Sequence, residues 1–104
     1  MARTTLDDDQ TAELAEIFHL LGEPTRLRIV VCCLAGPVSV SALAERIGAS
    51  PSLVSHHLRL LRAARILRAE RRGKQVFYSA ADEHIRTVLG DMIEHVAEPA
   101  DDAG

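Results

Sequence analysis

Two helical patterns separated by three residues, with a basic hairpin pattern just after them, constrain this chain more than any other feature. The first pattern spans Val40 to Ile47, is capped by Ser39 and is closed by Gly48. After Gly48-Ala49-Ser50 comes Ser50-Pro51, an N-cap serine followed by a first-turn proline. The helix it opens runs to about Ala63. Val54, Leu58 and Leu61 recur on one side at steps of four and three residues, which predicts a core-facing stripe. Ser52, Ser55, His56, Arg59 and Arg62 form the other, polar and basic side. Two helices joined by a tight turn, the second basic along one face, make a helix-turn-helix. Residues 66–71 and 74–79 are rich in Ile, Leu, Val, Phe and Tyr and flank Arg72-Gly73, which predicts a β-hairpin. Its tip, Arg71-Arg72-Gly73-Lys74, is strongly basic. The expected fold class is therefore mainly α with a β-hairpin wing, a winged helix-turn-helix.

Upstream, Leu14, Ile17, Phe18 and Leu21 mark a first helix over residues 10–21, closed by Gly22. His19 reads as a surface histidine near its end. Pro24 opens a second helix with Leu27, Val30, Val31 and Leu34 inward, stopped by Gly36-Pro37. Residues 10–98 make one domain; residues 1–9, ending in Asp7-Asp8-Asp9, and residues 99–104 read as acidic tails, the first mobile. With 104 residues and only 3% aromatics, the core is aliphatic and short enough to gain from dimerisation. No run approaches a membrane span and no signal peptide opens the chain, so a cytoplasmic protein is expected. Cys32 and Cys33 are adjacent inside an apolar helical run, which does not suit a disulfide framework.

Charge is partitioned. Residues 1–22 carry one basic and five acidic side chains, residues 23–80 ten basic and three acidic, and residues 81–104 one basic and seven acidic. A basic centre between acidic ends predicts a nucleic-acid surface carried by the middle of the chain, which the net charge of -3 conceals; with the helix-turn-helix, the expected partner is double-stranded DNA. Arg26, Arg59, Arg62, Arg71, Arg72 and Lys74 are candidate phosphate or minor-groove contacts. Ser52, Ser55, His56 and Arg59 are placed to reach base edges. Neither a small organic substrate nor a catalytic nucleophile or base is indicated.

The last helical run, from Asp82 to Glu98, holds a different chemistry. Ile85, Val88, Leu89, Met92, Ile93 and Val96 give it an apolar stripe. His84 and His95 are eleven residues apart, close to three whole turns, so they share a face about 16 Å apart along the axis. Zinc holds its ligands at about 2 Å, so one helix cannot bring both to one ion. Two antiparallel copies crossed on a dyad would set Asp82 and His84 of one chain beside His95 and Glu98 of the other. Gly90 would then lie at the closest approach. Imidazole and carboxylate without thiolate suit Zn(II), with Co(II) and Ni(II) as alternatives. Four ligands leave no open position for hydrolysis. The same side chains also suit a solvated face with Asp82 as N-cap.

Three stretches together resemble the ArsR/SmtB family of small dimeric metal-responsive repressors: residues 21–29 (LGEPTRLRI), residues 52–61 (SLVSHHLRLL) and the wing at residues 72–78 (RGKQVFY). The resemblance covers about residues 12–98. It implies that Asp82, His84, His95 and Glu98 form an interfacial zinc site like that of the zinc- and cobalt-sensing branch. It further implies a homodimer through the N- and C-terminal helices that leaves operator DNA on binding metal, derepressing efflux or sequestration genes. A link from His95 to the carbonyl region of Ala64 and Arg65 would carry the signal, although some relatives have His where Arg65 stands. The family's thiolate site is lost, since Ser39 stands where its cysteine would be. Two alternatives stay open: a winged-helix repressor that senses thiol oxidation at Cys32 or Cys33, and a metal-buffering dimer with no DNA role.

Overall fold

The computed structural model describes residues 5–100. Five helices and a three-stranded antiparallel sheet follow one another as α1 (Asp8–Leu21), α2 (Pro24–Cys33), β1 (Val38–Ser39), α3 (Val40–Ile47), α4 (Pro51–Ala63), β2 (Leu67–Arg72), β3 (Gln75–Ala80) and α5 (Glu83–Ala97). The winged helix-turn-helix expected from the sequence is what forms.

The helix-turn-helix is fixed by its caps. Ser39 Oγ accepts the Ala42 amide at 3.2 Å, and Ser50 Oγ accepts the Leu53 amide at 3.1 Å. Between them Gly48 turns the chain at φ 75°, a left-handed conformation that a side chain would resist. Leu43, Val54, Leu58 and Leu61 are fully buried and meet Ile29 and Val30 of α2 and Ile66 at the start of the wing. This is the core of the chain, all aliphatic apart from the thiol of Cys33.

α4 ends without a glycine. The Ile66 amide donates to Leu61 O at 2.9 Å and the Arg65 amide to Arg62 O at 3.0 Å, a Schellman closure. It places Arg65 at φ 60°, the one described non-glycine residue with positive φ. The closure turns the chain straight from α4 into β2.

Several boundaries differ from the sequence expectation. α1 starts at Asp8 rather than Gln10, because Asp7 and Gln10 form a reciprocal capping box. Only residues 1–4 and 101–104 of the expected tails lie outside the described residues. The hairpin pairs Arg72 with Gln75, so the two-residue loop is Gly73-Lys74, one step later than expected. Gly73 at φ 63° explains the shift: a loop with positive φ at its first position needs glycine there. β1 was not foreseen, since two residues are too short to show alternation. It pairs with β3 and makes the sheet order β1-β3-β2.

The inward faces of the outer helices also need correction. On α2 the buried residues are Ile29, Val30 and Cys33, whereas Leu27 and Val31 are 38% and 40% exposed. On α1 Leu20 is buried, while Leu14 and Phe18 are exposed; on α5 only Leu89 is buried. These helices carry apolar residues on more than one side, so periodicity alone could not tell which stripe meets the chain's own core.

Candidate nucleic-acid interface and metal centre

α4 is the best-anchored helix, and its outer face carries the basic set. Ser52, His56, Arg59 and Arg62 are exposed, and Ser55 is half-buried. Arg71, Arg72 and Lys74 are exposed on the wing. Arg72 is held in place: its Nε donates to Glu70 Oε1 at 2.7 Å, and its guanidinium lies 5.1 Å from the centre of the Phe77 ring. Arg26 is less available than expected. Its Nε donates to Leu20 O at 2.9 Å, tying α2 to the end of α1.

His57 is the inward neighbour of His56. It is buried, and its Nδ1 has no hydrogen-bond partner. Burial holds its pKa below the usual histidine value; Glu23 opposes the shift, and Arg26 and His56 reinforce it. Glu23 itself caps α2, accepting the amides of Thr25 and Arg26 at 3.0 and 2.9 Å. Those bonds lower its carboxyl pKa. The sequence offered no sign that the residue before Pro24 was a cap facing α4.

At the start of α5, Asp82 caps the helix with one oxygen and faces His84 with the other. Oδ1 accepts the Ile85 amide at 3.0 Å, and Oδ2 lies 3.7 Å from His84 Nδ1. The amide bond, more than His84, lowers the Asp82 pKa, so the carboxylate is ionised and able to accept a cation. His95 and Glu98 are exposed at the far end of the helix. Among the described residues of one chain, no three His, Cys, Asp or Glu side chains come together to hold a metal. The chain thus brings together Asp82 with His84 and keeps His95 and Glu98 apart from them. At Gly90, between them, an added Cβ would meet nothing within 4 Å, so α5 is open to close approach there.

Arg65 joins these regions. Its guanidinium pairs with Glu13 of α1, and that bond chiefly raises its pKa, with Asp82 adding to the shift. Arg62, Arg65, Asp82 and His84 line one cleft with Glu13 and Ile17. Glu13 was missed because it lies 52 residues from its partner and carries no local pattern. Arg86 Nε donates to Leu34 O at 3.2 Å and moors the start of α5 to the end of α2.

The cysteines differ. Burial pushes the Cys33 thiol up to about 12, which keeps it protonated and unreactive at neutral pH. Cys32 is half-buried, beside Leu27 and Val31.

Comparison with known proteins agrees with this architecture. Residues 23–69 match the family described as bacterial regulatory protein, arsR family. A transcriptional repressor SmtB homolog from Synechocystis is 37% identical over 90 residues, covering 86% of this chain and 68% of that protein. The solution structure of the cadmium metal-sensor CmtR from Mycobacterium tuberculosis has 36% identity and a TM-score of 0.68, covering 86% of this chain and 94% of that one. The fold is shared with a homodimeric winged helix-turn-helix DNA-binding domain from Mycobacterium bovis, at a TM-score of 0.74 and 24% identity, over 91% of this chain and 90% of that one. These are transcriptional regulators rather than enzymes, and this chain belongs to the ArsR family of bacterial regulatory proteins.

Proposed function

We propose that the protein is a metal-responsive transcriptional repressor. It binds operator DNA as a metal-free homodimer and is released when Zn(II), or alternatively Co(II) or Ni(II), binds at two symmetric sites. Each site takes Asp82 and His84 from one protomer and His95 and Glu98 from the second. The observation that carries this reading is the split donor set on α5: a carboxylate and an imidazole 3.7 Å apart at one end, and two further donors at the other. CmtR senses cadmium, but nitrogen and carboxylate oxygen without thiolate favour harder ions here. The genes controlled would be those for metal efflux or sequestration.

The coupling runs through Ala64 and Arg65. Metal joining two α5 helices biases the dimer toward a geometry in which the two α4 helices no longer fit successive major grooves. Arg65 ends α4, pairs with α1 and faces Asp82, so movement of α5 acts on the base of the recognition helix. Reciprocity requires DNA to weaken metal binding by the same factor. Thiol oxidation at Cys32 or Cys33 is the second reading; Cys33 is buried and protonated, which leaves it to the half-buried Cys32.

The test is fluorescence anisotropy on DNA from upstream of the protein's own gene, first with chelator and then with each metal. Tight binding that collapses with zinc is expected. Tight binding indifferent to all three metals would remove Asp82, His84, His95 and Glu98 from the mechanism.

A further inference from the structure

The cleft where the end of α4, the start of β2 and the start of α5 meet is unbalanced in charge. Arg62, Arg65 and Arg68 line it against the carboxylates of Glu13 and Asp82, together with His84. Glu13 is taken by Arg65. Asp82 accepts the Ile85 amide and faces His84. Arg68 Nε donates to a neutral partner, Ser79 Oγ, at 3.3 Å. Among the described residues no carboxylate pairs with Arg62 or Arg68. Two guanidiniums in the cleft are thus left without a counter-charge.

Under the proposed function, His95 and Glu98 of the second protomer come to Asp82 and His84, at this same cleft. Glu98 leaves α5 with extended backbone, φ -70° and ψ 143°. Pro99 after it has no amide with which to continue the helix. Asp101 and Asp102 follow three and four positions beyond Glu98, outside the described residues. An extended chain spans at most about 3.3–3.6 Å per residue, so these carboxylates reach to roughly 10–14 Å from Glu98. Arg65 lies close enough to Asp82 to feel its charge, and Arg62 and Arg68 line the same cleft. Two carboxylates on a short tether therefore meet two unpaired guanidiniums. A DNA backbone fits the cleft less well, since its row of phosphates would also face Glu13 and Asp82.

We propose that Asp101 and Asp102 of one protomer dock in the arginine cleft of the other when metal holds Glu98 there, pairing with Arg62 and Arg68. The inference rests on the metal-site and dimer reading above and adds a second route from metal to DNA. Fixing Glu98 makes the pairing effectively intramolecular. It withdraws Arg62 from the DNA backbone and sets two negative charges at the base of α4, so a bound duplex is repelled as well as misaligned.

The experiment compares the wild type, Asp101→Asn with Asp102→Asn, Arg68→Gln, and all three changes combined. Operator anisotropy is read in chelator and in zinc. Zinc affinity is read separately, without DNA, by competition with a chromophoric chelator. Circular dichroism shows that each variant is folded. In zinc, the paired Asp→Asn variant should retain roughly two- to tenfold more DNA affinity than the wild type, the scale of two exposed ion pairs. Arg68→Gln should act in the same direction, and the combination should add little, as for groups sharing one contact. Zinc affinity should fall by no more than the same factor, because all four ligands remain. Full zinc release in the Asp→Asn variant would overturn the proposal. A loss of DNA affinity in Arg68→Gln that is equal in chelator and in zinc would give Arg68 to the DNA backbone instead. Wild-type protein that binds no zinc, or keeps its DNA in zinc, would overturn the metal reading, and the docking with it.

Discussion

α4 and α5 are both amphipathic, yet their apolar faces meet different fates. On α4, Val54, Leu58 and Leu61 are fully buried within the chain. On α5, Val88, Met92, Ile93 and Val96 are 56%, 53%, 41% and 78% exposed. With Leu27 and Val31 of α2 and Leu89, three of these form a wholly apolar groove. Phe18 of α1 is also 64% exposed. A contiguous apolar face of this kind marks an association surface. The second helix of the helix-turn-helix is thus packed by its own chain, whereas the apolar face of α5, the proposed sensing helix, is left uncovered by it. Under the proposed function, a helix not locked into its own chain's core is the one free to change its packing on metal binding.

The largest effect that would sharpen this contrast is on the inner face. Leu58→Ala should cost about 2–5 kcal/mol of stability in urea unfolding. A smaller loss would mean that α4 is not the anchor described. On the outer face, Met92→Glu should leave the monomer folded but convert a dimer to monomer in sedimentation, because a charge would be buried without a partner. A variant that stays dimeric would move the interface off α5.

Next in size is His95→Ala. It should bind DNA and dimerise as before but no longer be released by zinc. Release at the wild-type zinc concentration would exclude His95 as a ligand.

The smallest effect concerns acid. His57 has its folded pKa lowered by burial, so it folds neutral. Its contribution to stability is present above its unfolded value of about 6.5. That contribution is lost as pH falls from there through the lower folded pKa. His57→Gln should flatten the stability profile over that window, and an unchanged profile would assign the acid sensitivity to other groups.

The helix-turn-helix was legible because its signals are local. Ser39, Gly48, Ser50 and Pro51 punctuate α3 and α4, and each did in the structure what its chemistry predicts. The spacing of His84 and His95 likewise shows, without coordinates, that one helix cannot hold one ion with both. The hairpin was legible in kind but shifted by one residue, because the strand pattern left open which loop position Gly73 would take.

What only the tertiary structure decided is what depends on residues distant in sequence. The pairing of Arg65 with Glu13, and the burial of His57 beside Glu23 and Arg26, follow from how α1, α2 and α4 pack. The same holds for which stripe of α2 turns inward, since Leu27 and Val31 are as hydrophobic as Ile29 and Val30. Hydrophobicity specifies that a side chain leaves water; the arrangement of neighbouring helices specifies whether its own chain or another copy covers it.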